Sequence, residues 1–236
     1  MPRVAVVAAL EREIAPLAKA LTRRKQVPNG IVAFEADYLL IVCGGIGTPR
    51  AAVATGWAIA TLKPEVVMSV GFAGALNPAG KVGSVITPGT VIDAGTGEAH
   101  TVRAGQGVLV TESAVAARRG KRELALLYNA DAVDMEAAAV ARVAKENATA
   151  FFAAKVISDE VDFALPPLQQ FVSEAGKFRT SEFLAHVALR PALWPAVARL
   201  GANASKASSQ LCNWLENQMR RDFQDILEGV GRPTRV

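Results

Sequence analysis

An α/β layer fold with a mixed or mostly parallel central sheet and flanking helices is what this sequence predicts, and three observations carry it. Unbroken apolar runs end in glycine or another small residue, helical patterns alternate with those runs, and acidic or glycine-rich positions follow them. Strands covered on both faces read as continuous apolar runs because neither side meets water. Alternation with helices places such strands in one layer with helices packed on it. In sheets of this kind ligands bind beyond the carboxyl ends of strands. The first candidates for chemistry are therefore Glu13, Gly45 to Gly47, Gly71 to Gly74, and Ser158 with Asp159.

Taken in order, the first run is VAVVAAL (4–10), followed at once by Glu11, Arg12 and Glu13. It is too short for a signal peptide and lacks a small-residue cleavage site, so it reads as a first strand. A helical pattern covers 12–21. The strand YLLIVCGGIG (38–47) follows, then a helix over 49–62 and the strand EVVMSVGFAG (65–74). SVITPG (84–89) and GVLVTES (107–113) are shorter strands. A helix over 136–146 precedes the strand TAFFAAKVISD (149–159). From Phe163 the texture changes: FALPPLQQFV carries two prolines, and residues 178–219 are helical with Pro191 and Pro195 interrupting them. The last five residues, 232–236, are expected to be disordered. No internal repeat or linker divides the chain, so one domain over 1–236 is expected, with an apolar helical insertion at about 163–200.

Composition limits the function classes. With 51% hydrophobic and 20% charged residues the chain can bury a sizeable core, and no run of 18 apolar residues offers a spanning helix. Two cysteines, Cys43 and Cys212, give no disulfide framework, which favours a reduced, cytoplasmic setting. The net charge of +4 comes in short clusters: Arg23-Arg24-Lys25, Arg118-Arg119 with Lys121-Arg122, Arg220-Arg221, and Arg232 with Arg235. They read as solvated helix ends, with peripheral contact to anionic lipid as the second reading. Nucleic acid is disfavoured because no aromatic residues interleave with them as a stacking platform.

Several motifs fail. In CGGIGTPRAA, Gly45 and Gly47 start a G-x-G-x-x-G pattern, but Arg50 stands at the third glycine and no acidic residue follows at the required distance. No P-loop and no G-x-S-x-G elbow is present. His100 and His186 lie far apart without partners at ligand spacing, so no metal and no cofactor is expected. Acid–base chemistry then falls to carboxylates, whose proton affinity burial can raise. Three stand out: Glu13 after the first strand, Glu136 at the head of the apolar helix in AVDMEAAAVARVA, and Asp159 at the end of FFAAKVISD. Each taken alone also fits an ordinary carboxylate at a helix N-terminus, stabilised by free N–H groups and the helix dipole.

In order and spacing, VAVVAALEREI, GGIG, SVGFAGAL, VDMEAAAVA and KVISDEVD resemble the purine nucleoside phosphorylase superfamily, most closely its methylthioadenosine/S-adenosylhomocysteine nucleosidase branch. The resemblance covers about residues 3–162 and resumes near 202–217. It implies the three-layer nucleoside phosphorylase-like fold, a nucleoside substrate and a homo-oligomer, for which the helix Pro49 to Leu62 offers an apolar face. Glu13 matches the family's water-activating glutamate, Met135 and Glu136 its ribose-binding pair, and Asp159, with Ser158 beside it, the acid that helps protonate the purine. Gly47, Phe72, Ala73 and Gly74 match the glycine-rich strand ends around the substrate. On this reading Asp159→Asn is expected to keep its fold and lose turnover.

Three departures shift the substrate. Where phosphorylases hold phosphate, this sequence has Ser69 and Phe72, which favours water as nucleophile, although Arg50 keeps phosphate open as a co-substrate. At the purine-stacking aromatic stand Ala114 and Val115, so Phe72 or Phe163 is expected to rebuild that wall. The insertion after Asp159 is apolar and similar to that of the hopanoid-associated phosphorylases, which implies a lipophilic 5′ substituent such as that of adenosylhopane. Packing of the insertion on the core is the plainer reading. As a lid, Leu165, Leu168, Phe171 and Trp194 would line or cover the cleft.

Overall fold

The expected strands are present in the computed structural model, which describes residues 3–102, 105–173 and 176–230; the tail 232–236, with Arg232 and Arg235, lies outside the described residues. In chain order the elements are β1 (Val4–Ala8), α1 (Glu11–Ala18), β2 (Thr22–Arg23), β3 (Val32–Ala36), β4 (Leu39–Cys43) and α2 (Thr48–Leu62). Then come β5 (Val66–Ala75), β6 (Val85–Ile86), β7 (Thr90–Asp93), β8 (Ala99–Thr101), β9 (Val108–Thr111) and α3 (Arg118–Tyr128). The rest are β10 (Ala132–Asp134), α4 (Ala137–Glu146), β11 (Ala150–Asp159), α5 (Thr180–Ala188), α6 (Trp194–Arg220) and α7 (Gln224–Val230).

The strands form one mixed sheet in the order β2-β3-β4-β1-β5-β10-β9-β7-β8, with β11 against β5 and β6. β1 shows how the layers are specified. Val4, Val6 and Ala8 enter the core beneath α1 and α6, with Ile14, Leu17, Leu211 and Leu215. Ala5 and Val7 point to the opposite face, with Ala51, Ala54 and Ala58 of α2 and Val140 and Ala144 of α4. Side chains alternate along a strand, so a run of five buried apolar residues requires helices on both sides. The alanines of α2 and α4 let those helices approach each other and the sheet closely.

The C-terminal part differs from the sequence reading in one respect. α6 is a single helix of 27 residues, so the insertion expected to end at 200 and the last helix expected near 202 are continuous. Pro195 does not interrupt it, because it sits in the first turn, where a missing N–H costs nothing. Pro191 likewise opens a 3-10 turn at Pro191–Leu193. Further along, Ala207, Ser208, Leu211, Cys212 and Leu215 form the buried stripe that packs on the core. The segment before α6 has a small core of its own, Phe171, Phe183 and Val187, with Leu168, Phe178 and Val197 against it. Among the described residues no helix is long and apolar enough to cross a membrane.

Candidate active site

The site lies where the sheet parts beside β5. The lower half of β5, Val66 to Ser69, pairs with β1 in parallel, while Gly74 and Ala75 pair with β10 in antiparallel fashion. Between them, at Gly71, Phe72 and Ala73, that edge of β5 has left one neighbour and not yet met the other. A pocket opens there, lined from β1's end by Ala9 and Leu10, from β5 by Phe72, Ala73 and Gly74, and from β10's end by Asp134, Met135 and Glu136. Ser158 and Asp159 close it from the end of β11. Such a change of neighbour at strand ends is where open α/β sheets place ligands.

Glu13 plugs the parting. Its Oε2 accepts from the N–H groups of Ala9 and Leu10, both at 3.0 Å, and its Oε1 from Phe72 N–H at 3.2 Å. The bonds to Ala9 and Leu10 hold the entry to α1, as a capping glutamate would. The third belongs to the unpaired edge of β5 and aims the other oxygen at the pocket. Gly71 is required beside it: its φ is +139°, and a Cβ would meet both Glu13 carboxylate oxygens at 3.1 and 3.2 Å.

Glu136 stands at the head of α4, yet it does not cap the helix. Asp134 does: its Oδ2 accepts from Ala137 N–H at 2.9 Å, and its Oδ1 from Thr111 Oγ1 at 2.7 Å. Thr111 Oγ1 in turn accepts from Ala138 N–H at 2.9 Å. With the helix end served, the Glu136 carboxyl turns to the pocket and accepts from Gly47 N–H at 2.8 Å. Gly47 has φ +96°, which lets the loop after β4 present that N–H. Burial pushes the Glu136 carboxyl up to about 8; Asp134's charge adds to the rise, and Lys155 opposes it. Lys155, 1% exposed, bonds Asp134 Oδ2 at 2.9 Å. Burial lowers its proton affinity, but Asp134, Glu136 and Glu13 outweigh that and raise it.

Asp159 ends β11 at a register shift after Ile157. Ser158 Oγ donates to its Oδ1 at 2.7 Å. Its Oδ2 takes an ion pair from Lys121, which is itself only 1% exposed. The expectation that Lys121 belongs to a solvated helix end is thus wrong: it points inward and lines the pocket. A signal was available, since Leu124, Ala125 and Tyr128 stand three, four and seven residues on and share its apolar helix face. Lys155 was also missed, and its signal was a lysine inside an otherwise apolar strand run.

The structure therefore gathers Glu13, Phe72, Ala73, Gly74, Met135, Glu136, Ser158 and Asp159 around one pocket, with Gly47 joined through Glu136. Phe163 is not in that lining; its ring lies under the Arg199 guanidinium, 5.5 Å from centroid to Cζ. Ala114 and Val115 do line it. Arg50 is spent elsewhere, donating to Gly44 O at 2.8 Å and Gly30 O at 2.6 Å, and Ser69 is buried within β5. Of the residues expected to line or cover the cleft, Leu165 and Leu168 line it, joined by Val172, Phe178 and Ile46. Phe171 supports them from the small core behind, and Trp194 is 54% exposed, away from the pocket.

The sequence matches the phosphorylase superfamily over residues 3–125 and 98–186. A 5′-methylthioadenosine/S-adenosylhomocysteine nucleosidase from Staphylococcus carnosus (strain TM300) is 25% identical over 215 residues, spanning 74% of this chain and 94% of the relative. The crystal structure of the enzyme of that name from Neisseria meningitidis, in complex with methylthio-immucillin-A, superposes with a TM-score of 0.72 at 20% identity. It covers 94% of this chain and 100% of the other. Futalosine hydrolase of Helicobacter pylori superposes with a TM-score of 0.71 at 15% identity, covering 93% and 98%. These superpositions show the three-layer fold with its mixed sheet, and the family match extends over more than half of the residues. The chain belongs to the phosphorylase superfamily.

Proposed function

We propose that the protein cleaves the N-glycosidic bond of an adenine nucleoside carrying a lipophilic 5′ substituent, releasing adenine with water as nucleophile. The observation that carries this reading is the convergence of Glu13, Glu136 and Asp159 on one pocket whose other wall is apolar. Breaking the bond from the anomeric carbon to N9 leaves positive charge on the sugar and negative charge on the purine. Glu13, held by three N–H groups, takes a proton from the water that attacks the anomeric carbon. Met135 and Glu136 hold the ribose, with the Glu136 carboxyl bonding its hydroxyls. A neutral Glu136 carboxyl can donate one of those bonds as well as accept one. Asp159, with Ser158, passes a proton to the purine so that it leaves as a neutral base.

Water is favoured over phosphate because Arg50 is committed to main-chain carbonyls and Phe72 offers no anion contact. Ile46, Val115, Leu165, Leu168, Val172 and Phe178 suit an apolar 5′ group, the adenosylhopane class in the resemblance noted above. The name of the Staphylococcus carnosus relative favours a second reading, a thioether nucleoside at the same site. Adenine release along a series from methylthioadenosine to long-chain and triterpenoid 5′ substituents tests the first reading. The proposal expects kcat/KM to rise with apolar size; a series that falls assigns the site to the thioether.

Two further proposals concern surroundings. Homo-oligomerisation through α2, where Val53 is exposed, is tested by sedimentation. Contact with anionic lipid through exposed Leu184, Leu189 and Trp194 beside Arg190 is tested by vesicle flotation.

A further inference from the structure

α3 buries one side chain, and it is a lysine. A buried ammonium without partners is costly, so the geometry around Lys121 calls for an account. Its three N–H groups have three acceptors: Asp159 Oδ2, Asp159 O at 3.3 Å and Glu160 O at 2.9 Å. Two neighbours on the same helix fix its approach. Arg118 donates to Asp162 O at 2.6 Å, and Arg122 to Asp162 Oδ1 at 3.0 Å. The room for the pair comes from Gly74, where a Cβ would lie 3.0 Å from Lys121 Cε and 3.1 Å from Asp159 Oδ2. Both oxygens of Asp159 accept hydrogen bonds, one from Lys121 and one from Ser158, which is the pattern of a carboxylate with no proton of its own to give.

We propose that Lys121 is the proton reservoir behind Asp159. This rests on the nucleosidase reading above and adds the source of the proton that the leaving purine takes. As the bond from the anomeric carbon to N9 breaks, its electron pair goes to the purine. Asp159 takes a proton at Oδ2 from Lys121 Nζ and passes one on to purine N7, ending as the carboxylate it began. Lys121 is left as a neutral amine, its two remaining N–H groups still on the carbonyls of Asp159 and Glu160. The attacking water loses its proton to Glu13. Exchange with solvent then returns a proton to Lys121 and removes one from Glu13, so the site resets. Lys121 acts through Asp159 and is a positioning and supply residue; Asp159 is the one that meets the purine.

The test compares two substrates: the adenine nucleoside turned over best in the 5′ series and its N7-methylated form, a cation whose base leaves without a proton at N7. The variants are Lys121→Met and Lys121→Arg. Arginine keeps the positive charge but does not give up its proton. Both variants should lose about 10²-fold or more in kcat on the unmethylated nucleoside, as for a lost acid, with KM little changed. Both should keep kcat of wild-type order on the N7-methylated form. Equal loss on the two substrates would overturn the proposal, and so would recovery of turnover on the unmethylated nucleoside by Lys121→Arg. If Lys121→Met does not fold, Lys121→Arg alone decides between these results. A wild-type protein that frees no base from either substrate overturns the nucleosidase reading as well, and so is told apart from failure of the reservoir alone.

Discussion

Asp159→Asn keeps the side chain's shape and removes the charge that faces Lys121. The pair is deeply buried, with side-chain exposures of 1% for Lys121 and 9% for Asp159. Removing one partner of a buried pair costs about 3–5 kcal/mol, because the other charge is left without compensation. Lys121 retains two carbonyl acceptors, so the lower end, about 3 kcal/mol, is expected. For a chain of this size that is a fall of about 6–12 °C in Tm. Turnover should drop by about 10² or more. The sequence alone leads one to expect that this variant keeps its fold and loses turnover; the buried lysine adds a cost in stability to that expectation. Urea unfolding and thermal melts of Asp159→Asn, of Lys121→Met and of the double variant measure the coupling. The double variant should recover most of the lost stability and none of the activity. An Asp159→Asn protein as stable as wild type would show that no pair forms, and the reasoning about both residues would fall with it.

Other outcomes follow from the same geometry. Gly71→Ala places a Cβ at positive φ against both Glu13 oxygens, so it should cost about 1–3 kcal/mol of strain and lower kcat; an alanine variant with unchanged kcat would show that the position of Glu13 is not critical. Glu13→Gln should lower kcat while ligand still binds, and unchanged turnover would give water activation to another group. Glu136→Gln removes a carboxyl whose value in the fold, about 8, lies above the usual 4.5. The fold therefore favours its protonated form: that stability is complete below 4.5 and is lost as pH rises through 8. Melts across this range should fall more steeply for wild type than for Glu136→Gln; parallel curves would contradict the raised value.

The parts legible in the sequence are those where one physical demand dominates. β1, β4, β5 and β11 show as apolar runs because both faces are covered, and the candidates Glu13 and Asp159 are found by their place, the one in the first turn of the helix after β1 and the other at the end of β11. β3 and β7 are short and partly exposed, so their patterns do not separate them from loops. β10 is three residues long and abuts α4, so AVD reads as the head of a helix until pairing with β9 and β5 is known. That same ambiguity concealed the division of labour between Asp134, which caps, and Glu136, which does not. The apolar patterns around Lys121 and Lys155 hint at burial, but their partners are remote in sequence, Asp159 for the one and Asp134 for the other. Residue type says surface; only tertiary contact explains a buried lysine. Of the two aromatics the sequence offers for the purine wall, Phe72 lines the pocket, and the fold sends the ring of Phe163 to Arg199.

The central claim is that Glu13-activated water, and not phosphate, cleaves an adenine nucleoside in this pocket. Adenine release by the wild-type protein, measured with and without phosphate on 5′-substituted adenosines, tests it most directly. The account predicts equal release in both conditions, with free sugar as the second product, and loss of release in Glu13→Gln. Release that requires phosphate and yields a sugar 1-phosphate would contradict it.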